Sequence, residues 1–248
     1  RVNAADYQLL ASETINNINE IKQISISESV ISALDGFSEG AVLTFDAVIT
    51  DTASNSTNGT SSSTTLIVDQ QSPSIFESTA IPSPSDNATP SVVITSDEPG
   101  VITSSLEIAA GSDISAEVGN NTVNFSILND GTYSPTITVT DAAGNAGSVT
   151  LTSFTIDTNA PSSFTVGSVI TSGGTVVSGY LNNTNTTVIV SVPIVNDATL
   201  NGGIVQVRAR VNAADYQLLA SETINNINEI KQISISESVI SALDGFSE

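Results

Sequence analysis

The 248-residue chain has no histidine, no cysteine, no methionine and no tryptophan. Without cysteine there is no disulfide framework, no zinc–thiolate site and no thiol nucleophile. Without histidine the commonest general base and the commonest transition-metal ligand are missing. Basic side chains are scarce: 5 Lys and Arg stand against 26 Asp and Glu, a net charge of −21. Binding to nucleic acid or to an anionic membrane surface needs basic patches, and this composition does not build them. No apolar run approaches the ~18 residues that span a bilayer, so direct membrane insertion is not expected. A seryl nucleophile would have to use Lys22, Lys231 or a carboxylate as its base. Solvated surface acids are the simpler reading of so many carboxylates, and the chain is not expected to be an enzyme. Aromatic residues make up 4%, which leaves little to stack on sugars.

What is present suits β-structure. The hydrophobic content is 39%, mainly Val, Ile and Leu, and Ser and Thr supply about a quarter of the chain. β-Branched residues between Gly, Asn, Asp and Ser turns predict an all-β protein. The strong negative charge predicts solubility, repulsion between neighbouring chains and affinity for cations. The most informative feature is a repeat. Residues 1–39 and 210–248 both read RVNAADYQLLASETINNINEIKQISISESVISALDGFSE, without a mismatch and 209 residues apart. Such identity points to recent duplication or recombination within a tandem array. The chain therefore reads as a little more than one period of a longer repetitive polypeptide.

A looser repeat lies inside that period. FDAVITDTASNSTNGTSSSTTLIVDQQSP begins at Phe45, and YSPTITVTDAAGNAGSVTLTSFTIDTNAP begins at Tyr133. Each runs aromatic, alternating strand, Thr-Asp, small residues and Asn, second strand, Asp and Pro. That is a β-hairpin followed by a domain exit. The turns TASN and AAGN tolerate left-handed backbone, and the Pro ends strand pairing. These exits predict three segments: 1–71, the C-terminal part of a larger domain; 72–159, a complete domain; and 160–248, the N-terminal part of the larger type. Within 72–159, strands are expected near Ser74–Ile81, Ser91–Ser96, Val101–Ile108, Thr122–Ile127, Ser134–Thr140 and Ser148–Ile156. Short strands with turn signals every 8–12 residues predict a β-sandwich. Residues 203–211 predict a further strand, and SESVISALDGFSEG predicts a single helical turn before a strand over 41–50. Arg208 and Arg210 fall on one strand face, which predicts a cross-strand pairing with Glu.

The segments DNATPSVVITSDEPGVI, GNNTVNFSILNDGTYSPTITVTDAAGNAG and FTIDTNAP resemble the bacterial and archaeal Ig-like domains of giant repetitive surface proteins and adhesins. The resemblance covers residues 72–163 closely. The larger unit keeps only FDAVITDTASN and IVDQQSP. It implies tandem Ig-like β-sandwiches outside the cell, one complete domain flanked by two partial copies of a second, larger type. In that fold the B–C and F–G loops meet the incoming chain. Asp69 of the incoming segment would then join Asp97 and Glu98 of the B–C turn and Asp141 of the F–G turn. The next junction would gather Asp157 and Asp197, and Asp51 marks the matching F–G turn of 1–71. Calcium takes six to eight oxygen ligands, which this chain has in excess, and related adhesins can stiffen their junctions with it. The alternative is that each Asp caps its own turn. The leading functional expectation is a stalk or spacer at the cell surface, partnered by neighbouring repeats. The rival is a subunit of a self-assembling extracellular fibre or surface layer held by inter-chain β contacts, because 1–71 lacks opening strands and 160–248 lacks a closing hairpin.

Overall fold

The computed structural model describes residues 1–3, 7–19 and 21–246, so repeat positions 4–6, 20, 247 and 248 lie outside the described residues. Residues 1–71 hold α1 (Glu28–Ile31), β1 (Val42–Leu43), β2 (Val48–Thr50), β3 (Ser56–Asn58) and β4 (Leu66–Ile67). The middle of the chain holds β5 (Ile75–Thr79), β6 (Ser91–Ser96), β7 (Gly100–Ser104), β8 (Ser115–Ala116), β9 (Gly119–Asn124) and β10 (Gly131–Tyr133). It continues with β11 (Thr136–Thr140), β12 (Ala146–Thr150) and β13 (Phe154–Ile156). The last third holds β14 (Val169–Ser172), β15 (Thr187–Ile194), a 3-10 turn (Ala198–Leu200), β16 (Ile204–Ala209), β17 (Gln217–Thr223), β18 (Glu229–Ser236) and α2 (Glu237–Ile240). The strand pairs are antiparallel. By contact the chain forms two compact units. The first is Arg1–Ile81, Thr89–Ser126 and Ser134–Thr152; the second is Pro82–Ala88, Ile127–Tyr133 and Ser153–Glu248.

The first unit contains the two principal sheets of an Ig-like sandwich. One runs β5-β6-β9 and the other β12-β11-β7-β8. Lettered in the Ig manner, β5, β6 and β9 are A, B and E, and β7, β11 and β12 are C, F and G. Alternation puts one side of each strand inward. β6 buries Val92, Ile94 and Ser96, and β11 buries Ile137 and Val139. Backbone approaches are close at two glycines. A Cβ on Gly147 would overlap the Pro73 carbonyl oxygen, and one on Gly100 would lie 2.5 Å from that of Thr140. A smaller apolar cluster unites Val2, Leu34, Ala41, Leu43 and Val68, with Val2 bridged to Leu43 beside the β1–β4 pair. In the second unit β14-β15-β18 and β16-β17 enclose Val188, Val190, Val192, Ile194, Val205, Val207, Ile224, Ile233 and Ile235. The same unit holds the β10–β13 pair.

The structure refines several sequence expectations. The single run expected over 148–156 is two strands in different sheets, because at Thr152 the backbone N–H and the hydroxyl both donate to Glu77 Oε2, at 2.8 and 2.6 Å. The strand expected over 41–50 is likewise split into β1 and β2. β8 and β10, two and three residues long, carry no alternation to read. The single helical turn is present as α1. Among the described residues Arg208 and Arg210 form no ion pair with Glu. Their guanidinium groups lie 5.9 and 4.7 Å from the ring centroid of Tyr216. Among the described residues the ion pairs are Lys22–Glu13 and Lys231–Glu222.

The two identical segments fold differently. In the second, Gln217–Thr223 and Glu229–Ser236 are strands; in the first, the described part of the matching residues, 8–14 and 21–27, forms none. Interactions between near neighbours survive in both. Lys22–Glu13 recurs as Lys231–Glu222, and Arg1 over Tyr7 recurs as Arg210 over Tyr216. The helical turn also recurs. The second copy has partners here: β18 pairs with β15 over eight residues and β17 with β16.

Candidate functional site

The chemistry-bearing residues of this chain are carboxylates on turns. Asp141 opens the β11–β12 turn. Its Oδ1 accepts from the backbone N–H of Ala143, Gly144 and Asn145 at 2.9, 2.8 and 2.9 Å, and Oδ2 accepts from Asn145 Nδ2 at 3.0 Å. Partial desolvation works to raise its pKa, but these bonds outweigh it and hold the carboxyl below its ordinary value. Asp51 repeats the device in the β2–β3 turn. It accepts from Ala53 N, Asn55 N and Asn55 Nδ2 at 2.9, 2.8 and 2.9 Å. The Asn55 bonds, side chain first, hold its carboxyl low.

Asp141 differs from Asp51 in what lies beyond it. Asn145 Nδ2 also donates to Asp69, to Oδ1 at 3.0 Å and to the carbonyl oxygen at 3.2 Å. The F–G turn is thereby tied to the incoming segment. Asp97 Oδ1 accepts from Ser74 N at 2.6 Å, so the B–C turn is tied there too. The structure thus brings Asp69, Asp97, Glu98 and Asp141 to one end of the first unit. It adds Glu39, whose Oε2 accepts from Gln70 N at 3.1 Å. Desolvation, then the charges of Asp141 and Glu39 and a carboxyl–carboxyl hydrogen bond to Glu39, raises the Asp69 pKa. Desolvation, then the charges of Asp97, Asp69, Asp141 and Glu39, raises that of Glu98. Mutual repulsion shows that these groups sense one another. Among the described residues, no three acidic side chains are grouped closely enough to hold one metal ion. Glu39 lies in the repeat and Asn145 in the AAGN turn. Neither signals a junction role from sequence, since that role depends on where distant loops meet.

The remaining sequence candidates lie in the second unit or on their own turn. Asp157 lines a cleft of about 210 Å³ together with Asp86, Asn159, Pro161, Thr199 and Leu200. Asp197 is adjacent in sequence to that wall, but its carboxylate caps the 3-10 turn, accepting from Thr199 N at 3.0 Å and Thr199 Oγ1 at 2.7 Å. The Thr199 side chain, then its backbone, holds the Asp197 carboxyl low. Asp130, which sequence did not single out, accepts from Thr158 N at 2.9 Å, from Thr158 Oγ1 at 2.8 Å and from Asn159 Nδ2. It fixes the exit segment after β13.

The sandwich order A-B-E and G-F-C, with a capped F–G turn, decides the assignment. Residues 83–158 match the bacterial Ig-like domain family. That family is one of non-catalytic structural domains, common on surface proteins. No curated protein and no solved structure matches the chain. No helix among the described residues is long and apolar enough to cross a membrane.

Proposed function

We propose that the chain is a structural repeat region of a long extracellular surface protein, acting as a spacer that holds a terminal module away from the cell. The carrying observation is an Ig-like domain at 83–158 set inside a chain that repeats 39 residues without change. A sequence multiplied in this way multiplies length, and each added unit contacts its neighbours in the same manner. In this reading 72–159 is one domain, and 1–71 and 160–248 are the two parts of a larger domain type.

The junction carboxylates support a finer reading in which calcium stiffens the stalk. Asp69, Asp97, Glu98 and Glu39 are oxygen donors from three stretches, and Asp69 and Glu98 feel the charge of the others. That donor chemistry suits a hard divalent cation, which would offset the repulsion, but the side chains would have to draw together around it, since no three of them are grouped closely enough as they stand. Asp141 would support the site through Asn145. A second reading, a self-assembling fibre, is favoured by one observation: the first copy of the repeat leaves Leu9, Ile15, Ile18, Ile21 and Ile24 exposed. An antibody against residues 83–158 tests the location. Intact cells of the source should be labelled, and surface protease should remove the label. Labelling only after lysis would overturn the reading.

A further inference from the structure

We infer that β13 and the exit segment after it form a mechanical latch, in which Ser83, Ser85 and Asp130 hold the end of the Ig-like domain against tension. The inference rests on the spacer reading, because only a chain pulled between its flanks would use such a device. β13 is gripped along both edges. On one edge it forms the antiparallel ladder with β10, Gly131 opposite Ile156 and Tyr133 opposite Phe154. The Tyr133 and Phe154 rings stack with centroids 5.7 Å apart, and the hydroxyls of Thr132 and Thr155 share a hydrogen bond of 3.0 Å. On the other edge Ser85 bridges to Ile156, and unlike the strand ladders that bridge is parallel. The Ser85 N–H donates to the Thr155 carbonyl at 2.9 Å, and the Asp157 N–H donates to the Ser85 carbonyl at 2.9 Å. The Thr155 N–H donates to Ser83 Oγ at 3.0 Å. Phe154 and Ile156 are both buried, so the strand between these two edges is also anchored in the core.

The parallel sense decides how this contact meets force. Residues 83–85 lie near the start of the domain and 155–157 at its end. Pulling the flanks apart draws the two segments in opposite directions along one shared axis. Ladder hydrogen bonds lie across the strands, so this tension shears them, and sheared bonds must give way together rather than one after another. The exit segment carries a further fastening. Asp130 directly precedes β10 and takes three hydrogen bonds from Thr158 and Asn159. Residues 130–133 therefore grip both β13 and the residues that follow it. The Thr158 bonds, backbone first, hold the Asp130 carboxyl below its ordinary value. It is thus a charged acceptor at neutral pH, and bonds to a charged acceptor are the stronger kind. Tension arriving from beyond Asn159 has to break them before β13 can slide.

Forced unfolding follows the unfolding rate, and a contact broken on the way to the transition state raises that rate when it is removed. The test holds the full chain at both ends under constant force and times the unfolding step of residues 83–158. Asp130→Ala is expected to raise the rate about tenfold or more, and Ser83→Ala about threefold. Asn121→Ala is the control. It also removes three hydrogen bonds, those to Glu117 and Gly119 at the β8–β9 turn, away from the exit. Urea unfolding of each variant gives its equilibrium loss. Asn121→Ala should lose stability yet keep its rate under force within about twofold of the wild type. An unchanged rate in Asp130→Ala and Ser83→Ala, or an equal rise in Asn121→Ala, would overturn the latch and leave the spacer standing. Extension with no discrete step for residues 83–158 would overturn both.

Discussion

Asp69 and Asp141 are joined through one amide, yet their carboxyls shift in opposite directions. Asp141 has its folded pKa lowered, so its stabilisation is present above the unfolded value of about 3.9 and is lost as pH falls through the lower folded value. Asp69 has its folded pKa raised. Its destabilisation is absent below about 3.9, grows as pH rises through the raised value, and is complete at neutral pH. In chelator at pH 7, Asp141→Asn should therefore lower the melting temperature, and Asp69→Asn should raise it. Both differences should fade towards pH 3. Millimolar calcium should raise the wild-type melting temperature, because a ligand of the native state stabilises it by mass action. Asp69→Asn should reduce that rise. No calcium effect on the wild type would rule out the clamp. Steric limits act at the same scale. Gly147→Ala would drive a methyl into the Pro73 carbonyl, and the displaced backbone should cost ~2 kcal/mol or more in denaturant unfolding.

At the scale of elements, the identical segments provide a test no single copy could. Ile233→Ala should destabilise the second unit by about 3 kcal/mol, because it empties a fully buried site. Ile24→Ala, the same substitution in the same local sequence, should stay within about 0.5 kcal/mol in dilute solution. Equal costs would mean that the two copies share one environment. The contrast also explains what sequence could and could not disclose. Thr136–Thr140 alternates apolar and polar residues, and the strand is found there. AAGN and TASN mark capped turns because an Asp precedes each and its own oxygens close the loop. The strand character of 217–236 was hidden, because ETINNINEI and its neighbours become strands only where β15 and β16 offer an edge. The carboxylate cluster was legible through loop order once a sandwich was assumed. Glu39 was not, because nothing local to it indicates that the repeat's end meets Gln70.

At the scale of the whole molecule, the composition and the fold point the same way. The chain uses Asp as turn caps and carries an Ig-like sandwich at its centre, of a family of non-catalytic structural domains. The proposed spacer role is mechanical, and force is the quantity that should expose it. Pulling single chains from both ends is the most direct measurement. Discrete unfolding events are expected, including a step of roughly 25 nm. That is the contour of residues 83–158 at about 3.5 Å per residue, less the folded span. Smooth extension at low force with no discrete step would contradict the claim that this chain is a structural element.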